Sequence, residues 1–190
     1  MTKEPPVENT SASSAIVFNG RVQKVGERAI LRFPDKASAQ LPSRGQVAVK
    51  AVLNGHSFET VVEPDGMRGH WLPVENSLIY LLVLDANDPV TLEVEPTKNW
   101  PEPELPDDFR AALLEAPDIA EKWRTITSMA RWEWVRWINA TKNPQTRARR
   151  VAVSISKLRS GKRRPCCFDL SSCTDPELSK SGKLAGAKPT

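Results

Sequence analysis

Three prolines, Pro101, Pro103 and Pro106, fall within residues 97–106 and separate two regions with different apolar spacing. Proline removes a backbone donor and clashes with the preceding helical turn, so this segment can form neither a helix interior nor a central strand. We therefore predict a linker at 97–106 with a folded domain on each side of it.

Before the linker, residues 15–96 contain short apolar runs separated by glycine and proline. Asn54-Gly55 provides the two residues of positive φ that a type I′ turn requires, so the runs on either side are predicted to form a hairpin. Several short strands of this kind indicate a small antiparallel β-barrel or sandwich. The run Leu78–Leu84 is compatible with either a buried strand or a short helix, because periodicity does not separate the two.

After the linker, residues 107–165 have the spacing of four helices. Asp107 and Asp108 suit the start of the first helix, and Pro117 begins the second. Thr127 or the residue after it caps the third, and Asn143 followed by proline begins the fourth. The fold class predicted from both halves is α+β.

Both ends of the chain have the polar composition that is typical of disorder. We predict a disordered segment at 1–14 and a cysteine-containing, mostly disordered basic tail at 166–190. The N-terminal residues lack the apolar stretch of a secretion signal, and no run of about 18 apolar residues occurs. These features predict a cytoplasmic protein without a membrane span.

The net charge of +4 conceals a strong separation of charge along the chain. Residues 134–168 contain ten lysines or arginines and no acid, whereas residues 85–121 contain eleven acids and only two bases. The basic residues either bind an external anion, such as nucleic acid, an acidic protein or a metabolite, or pair with acids in and around the first helix. These acids are Asp107, Asp108, Glu115, Asp118 and Glu121. The candidate anion-binding residues are Arg147, Arg150, Lys157, Arg159, Lys162, Arg163 and Arg164.

The third predicted helix contains Trp132, Trp134 and Trp137. These side chains are candidates for stacking on bases or sugars, and the alternative is that Trp134 and Trp137 fill the helical core.

Cys166, Cys167 and Cys173 are redox candidates, because Arg163 and Arg164 lie close to the first two in sequence and would favour the thiolate. The alternative is that all three are ordinary free thiols. Adjacent cysteines rarely chelate one metal ion, and no phosphate-binding glycine loop occurs, so we predict no metal site and no cofactor.

The fourth helix and its approach resemble a known family signature, W-I-x-x-A-K-x-x-E-T-R-x-R-R-[IV], at residues 137–151. This signature is typical of the bacteriocin-protection, YdeI or OmpD-associated family; Thr141 and Gln145 replace its usual alanine and glutamate. The entry helix at 106–113 is also similar to that family.

The first half resembles the small β domain of unknown function 1905 in four places, at 33–34, 44–49, 53–58 and 64–70. Such domains are similar to the double-split β-barrels of AbrB- and MazE-type DNA binders. The resemblance therefore implies a double-split-like barrel, and the helical family implies a role in stress or bacteriocin protection.

Three functions are compatible with these features. The first is a non-catalytic binding protein that engages an anionic partner through the basic fourth helix. The second is a nucleic-acid-binding regulator, which would form a homo-oligomer. The third is an enzyme that acts on an anionic metabolite between the domains, using His70 with Arg147 and Arg150. No residue is assigned a catalytic role from the sequence, and we favour the first function.

Overall fold

The computed structural model of the chain describes residues 15–165 and 169–186. It confirms the α+β class. The strands are β1 (Ile16–Arg21), β2 (Gln23–Val25), β3 (Arg28–Arg32), β4 (Val47–Leu53), β5 (His56–Pro64), β6 (His70–Val74), β7 (Pro89–Pro96), β8 (Ser179–Lys180) and β9 (Lys183–Leu184). The helices are α1 (Asp35–Ser38), α2 (Asn76–Leu82), α3 (Asp107–Leu114), α4 (Pro117–Thr125), α5 (Ser128–Asn139) and α6 (Pro144–Arg159).

Seven strands form one antiparallel sheet in the order β1-β7-β4-β5-β6-β3-β2. The sheet curls into a half-barrel around an apolar core that includes Leu31, Leu53 and Leu72. Asn54 and Gly55 have φ values of 47° and 85° and join β4 to β5, as the type I′ turn predicts. Because side chains alternate along a strand, Ile30 and Trp71 point to the outer face of the same sheet.

The run that was ambiguous in the sequence is mainly helical, because α2 spans Asn76–Leu82. It ends at Val83, which adopts a left-handed conformation with φ of 51°. Tyr80, Leu81 and Val83 are exposed on this side of the molecule.

Residues 97–106 form neither helix nor strand. Helices α3 to α6 follow this segment. Thr127 accepts a hydrogen bond from the Ala130 amide at 3.2 Å, and Asn143 accepts one from the Thr146 amide at 2.9 Å. These two caps confirm the predicted starts of α5 and α6. Helices α3, α4 and α5 each contact α6 around a second apolar core.

Residues 169–186, which we call the C-terminal segment, differ from the disorder predicted for them. They contain the β8–β9 hairpin and bury Cys173, Leu178 and Leu184 against Ile30 and Trp71 on the outer face of the sheet. The polar composition led to the wrong prediction of disorder. These three buried side chains anchor the segment, because the outer face of the sheet that they cover is itself apolar. The predictions for residues 1–14 and for Cys166 and Cys167 lie outside the described residues.

One close backbone contact shows how tightly this segment is held. A Cβ atom added at Gly66 would lie 1.9 Å from the carbonyl oxygen of Gly182, and Gly66 has φ of 73°. Glycine is therefore required here both for its backbone conformation and for the space that it leaves.

Within the two described ranges, no helix combines the length and the apolar character needed to cross a membrane.

Candidate functional site

A cleft of about 320 Å³ lies between the outer face of the sheet, helix α5 and the C-terminal segment. All three elements contribute to its walls, so the cleft exists only in the assembled tertiary structure. Its polar and aromatic lining consists of Arg28, Thr60, Glu63, Trp71, Glu75, Glu104, Trp132, Arg136, Asn139, Thr174 and Asp175.

Arg136 connects the three walls of the cleft. From α5, its Nε lies 3.2 Å from Glu63 Oε2 on β5. Its Nη1 donates to the Leu170 carbonyl at 3.2 Å, and its Nη2 donates to the Ser172 carbonyl at 2.5 Å. The side chain is only 5% exposed. This guanidinium therefore holds helix, sheet and C-terminal segment together.

Glu63 is a half-buried acid of the cleft, with its side chain 18% exposed. Gln46 Nε2 donates a hydrogen bond to Glu63 Oε1 at 2.6 Å. Burial raises the pKa of Glu63 above its ordinary value, and the neighbouring Arg136 guanidinium and the Gln46 bond only partly offset this effect. The carboxylate is thus costly to keep charged in this place.

The charges around the cleft are not balanced. Its lining contains four carboxylates and two guanidinium groups. Arg136 pairs with Glu63, and Arg28 pairs with Asp175 at 3.1 Å. Glu75 and Glu104 are the other two acids; they are exposed, and among the described residues neither forms a salt bridge. The cleft therefore has a surplus of negative charge at its edge.

Two indole rings line the cleft in fixed orientations. Trp71 Nε1 donates to the Pro64 carbonyl at 3.1 Å, and Trp132 Nε1 donates to the Pro101 carbonyl at 2.7 Å. Trp71 is buried, and Trp132 is half-buried. Because its polar N–H group is already satisfied, the half-buried Trp132 ring offers apolar surface to a ligand, whereas the buried Trp71 ring forms part of the wall.

Three of the predicted anion-binding residues are paired with carboxylates of the same chain. Arg147 bonds both oxygens of Asp108 at 2.7 and 3.0 Å, and Arg159 bonds both oxygens of Asp118 at 2.8 and 3.2 Å. Arg164 forms a two-pronged contact with both oxygens of a third carboxylate, Glu133. The intramolecular alternative therefore describes Arg147 and Arg159, whereas Arg164 pairs with an acid of α5 that the sequence analysis did not consider.

The other predicted cations lie in different surroundings. Arg150 donates to the Trp137 carbonyl at 2.6 Å, and its guanidinium lies 5.4 Å from the centre of the Trp137 ring. The Lys157 amine lies 5.8 Å from the same ring. Arg163 contacts the Thr125 carbonyl at 3.3 Å, and Lys162 is exposed after the end of α6.

The three tryptophans of α5 do not share one role. Trp134 is fully buried, its Nε1 donates to the Arg163 carbonyl, and its ring meets Trp137 edge-on at 6.0 Å. The prediction that Trp134 stacks on a ligand is therefore wrong, since neither face of the ring reaches solvent. Trp137 is covered by Arg150 and Lys157, and only Trp132 lines the cleft.

Cys173 and His70 both lie in structural positions. Cys173 is buried, and burial raises the pKa of its thiol to about 11, which opposes the reactivity predicted for it. His70 Nδ1 lies 2.6 Å from Ser38 Oγ, and its Nε2 lies 3.2 Å from the Gly45 carbonyl. Burial lowers the pKa of His70. His70 is only 1% exposed and both of its ring nitrogens lie within hydrogen-bond distance of these partners, so it does not present a ring nitrogen to a substrate as the third hypothesis requires.

Apart from Trp132, which was a candidate for stacking, the sequence analysis did not identify the residues of the cleft. One signal for it was present: Trp71 alternates with the inward-facing Leu72, so it must point outward and be covered by another element. Arg136 offered a second signal, because it lies within the wide apolar arc of α5.

Comparison with protein families agrees with the resemblance seen in the sequence. Residues 102–161 match the family model described as bacteriocin-protection, YdeI or OmpD-associated. Residues 18–94 match the domain of unknown function DUF1905. Both families and their order along the chain are those expected. A search of curated proteins finds no match.

Proposed function

We propose that this chain, in which a DUF1905-type sheet precedes a YdeI/OmpD-associated helical region, is a non-catalytic binding protein that holds its ligand in the cleft. The ligand is a small molecule or side chain with one positive charge and an apolar body. The observation that carries this proposal is the charge surplus: both arginines in the lining are paired, and two carboxylates remain.

The chemistry of the cleft supports a cationic ligand in two ways. A cation between Glu75 and Glu104 gains electrostatic attraction from both carboxylates, and it can also lie over the π-face of Trp132. A cation over an indole ring contributes about 0.5–2 kcal/mol, depending on how far water is excluded. The volume is at the lower end of the usual range for ligand pockets, which favours a compact ligand.

Binding rather than catalysis is favoured because the buried charged groups have fixed structural partners. Glu63 is held by Arg136 and Gln46, and Arg136 also holds the C-terminal segment. A general acid or base must be able to exchange its proton with a substrate, and these groups instead maintain the walls of the site.

Three matched phenyl compounds test the proposal by calorimetry at low salt. We expect the cation 2-phenylethylamine to bind more tightly than the neutral 2-phenylethanol by about 3- to 10-fold, and the anion 3-phenylpropionate to bind most weakly. The double variant Glu75→Gln/Glu104→Gln should remove this preference. Glu115→Gln, an exposed acid outside the cleft, is the control and should leave it unchanged. Equal affinity for the amine and the alcohol, or no binding of the amine, would contradict the proposal.

A second candidate function is the binding of a polyanion such as nucleic acid. Arg149, Lys162 and Arg163 are exposed, and no salt bridge to any of them occurs among the described residues. A labelled single-stranded oligonucleotide should then bind with an affinity that falls steeply with salt. Lys162→Gln/Arg163→Gln should weaken this binding more than the charge-matched variant Lys180→Gln/Lys183→Gln. Equal loss in both variants, or no binding at low salt, would exclude this function.

A further inference from the structure

A second cavity, of about 670 Å³, lies at the edge of the half-barrel where β1, β2 and β3 meet. It shares no lining residue with the cleft. Its charged and amide side chains come from Asn19, Arg21, Gln23, Arg32, Asp35, Asp65 and Asn87. The cavity therefore brings together two guanidinium groups from different strands and two carboxylates.

Arg32 occupies an unusual position for a cation. It is only 5% exposed. Its Nε donates to Gln23 Oε1 at 3.0 Å, and its Nη2 contacts the carbonyls of Ala185 and Gly186 in the C-terminal segment. Its Nη1 is buried, and no residue in the described part of the chain accepts a hydrogen bond from it. Such a group costs stability unless an acceptor reaches it.

The unmet group in this cavity is a donor rather than an acceptor. Asp65 is the buried acid nearby, and its Oδ1 already accepts bonds from the amides of Met67 at 2.6 Å and Gly69 at 2.8 Å. Burial lowers the pKa of Arg32, and the charge of Asp65 only partly offsets this effect. Arg21 is exposed, and its Nη1 donates to the Asn87 carbonyl at 2.7 Å. A guanidinium group has five N–H donors, so Arg21 has others for a ligand in the cavity that it lines.

We propose that this cavity binds the oxyanion group of a small molecule, a phosphate or a carboxylate, between Arg32 and Arg21. The anion supplies the acceptor for Arg32 Nη1, and its second oxygen accepts from Arg21. Guanidinium groups suit this task because their planar N–H forks match the geometry of both oxyanions.

The site is also coupled to the C-terminal segment. Arg32 holds the end of this segment at Ala185 and Gly186, whereas Arg28, on the same face of β3, holds its beginning at Asp175. An anion that orders Arg32 will therefore strengthen the attachment of the segment to the sheet.

Thermal unfolding at constant ionic strength, with sodium chloride replaced stepwise by inorganic phosphate or by acetate, tests the proposal. We expect one or both oxyanions to raise the unfolding midpoint of the wild type, and the comparison tells phosphate from carboxylate. Arg32→Gln should abolish the effect, and Arg21→Gln should weaken binding by about 3- to 10-fold. If Arg32→Gln does not fold, Arg21→Gln alone decides the question.

Arg28→Gln is the matched control, because it also removes a contact with the C-terminal segment but lines the other cavity. It should keep the oxyanion effect. Tryptic cleavage after Lys183, which reports release of the segment, is followed in every variant. An oxyanion effect that is unchanged in Arg21→Gln, that is lost equally in Arg28→Gln, or that is absent from the wild type would overturn the proposal.

Discussion

Replacement of Arg136 by methionine is the most informative perturbation of the cleft. It removes the ion pair with Glu63 and two hydrogen bonds to carbonyls of the C-terminal segment, while it keeps most of the apolar stem. Removing one partner of a buried pair typically costs 3–5 kcal/mol, because the other charge stays buried without compensation. Since the Glu63 side chain retains 18% exposure, we expect the lower end, about 3 kcal/mol.

Equilibrium urea unfolding measures this loss, and thermal unfolding should show a midpoint lower by about 6–12 °C for a chain of this length. The matched control is Arg124→Met on α4. Its ion pair with Glu121 is 72% and 74% exposed at the two side chains, so we expect a change below about 0.5 kcal/mol. A loss below about 1 kcal/mol in Arg136→Met would refute the view that this residue holds the three walls together.

The double variant Arg136→Met/Glu63→Gln completes the cycle. It should recover part of the lost stability, because no carboxylate then remains unpaired. The folded-state pKa of Glu63 is raised above its ordinary value near 4.5, so the folded protein binds the proton more tightly than the unfolded chain does. The stability of the wild type therefore falls as pH rises from about 4.5 through the folded-state pKa, and the Glu63→Gln variant should lack this part of the decline. A double variant whose loss equals the sum of the two single losses would show that the two residues are not coupled.

Two further changes probe the attachment of the C-terminal segment and the helical ion pairs. Gly66→Ala places a Cβ atom against the backbone of Gly182 and should release the segment, measured as faster tryptic cleavage within it. Gly26→Ala, which also has positive φ but meets no atom within 4 Å, should cost only the backbone strain and leave cleavage slow; equal cleavage in both would contradict the clash. In the wild type, the Arg147 guanidinium holds the pKa of the Asp108 carboxyl below its usual range. The wild type should therefore be more stable than Asp108→Asn at pH values above the usual pKa of an aspartate, and this difference in unfolding free energy should disappear as pH falls through the folded-state pKa. Urea unfolding between pH 2 and pH 7 measures this difference, and a difference that persists at the acid end would contradict the assignment.

Local sequence signals were sufficient for most of the secondary structure. The Asn54-Gly55 turn, the Thr127 and Asn143 caps and the proline-rich segment act over a few residues, so their effect does not depend on distant parts of the chain. Leu78–Leu84 was ambiguous because a short continuous apolar run has no periodicity that separates a strand from a helix.

The sequence also revealed the separation of charge, but not which charges would meet. Arg147 and Arg159 on α6 and Arg164 after it each pair with a carboxylate of a different helix, and this depends on how α3, α4 and α5 pack against α6 and the residues that follow it. Composition reports how many charges a chain carries, whereas only the packing of helices determines the distance between them.

By itself, then, the sequence determined the α+β class, the order of the two regions and the excess of basic residues near α6, because each follows from short-range spacing or from counting. Only the tertiary structure decided that residues 169–186 fold onto the sheet and that Arg136, Glu63 and Trp132 share one cleft. The physical reason is that the outer face of the sheet becomes an apolar surface only after its strands have paired. Leu178 and Leu184 gain free energy from burial only when that surface exists.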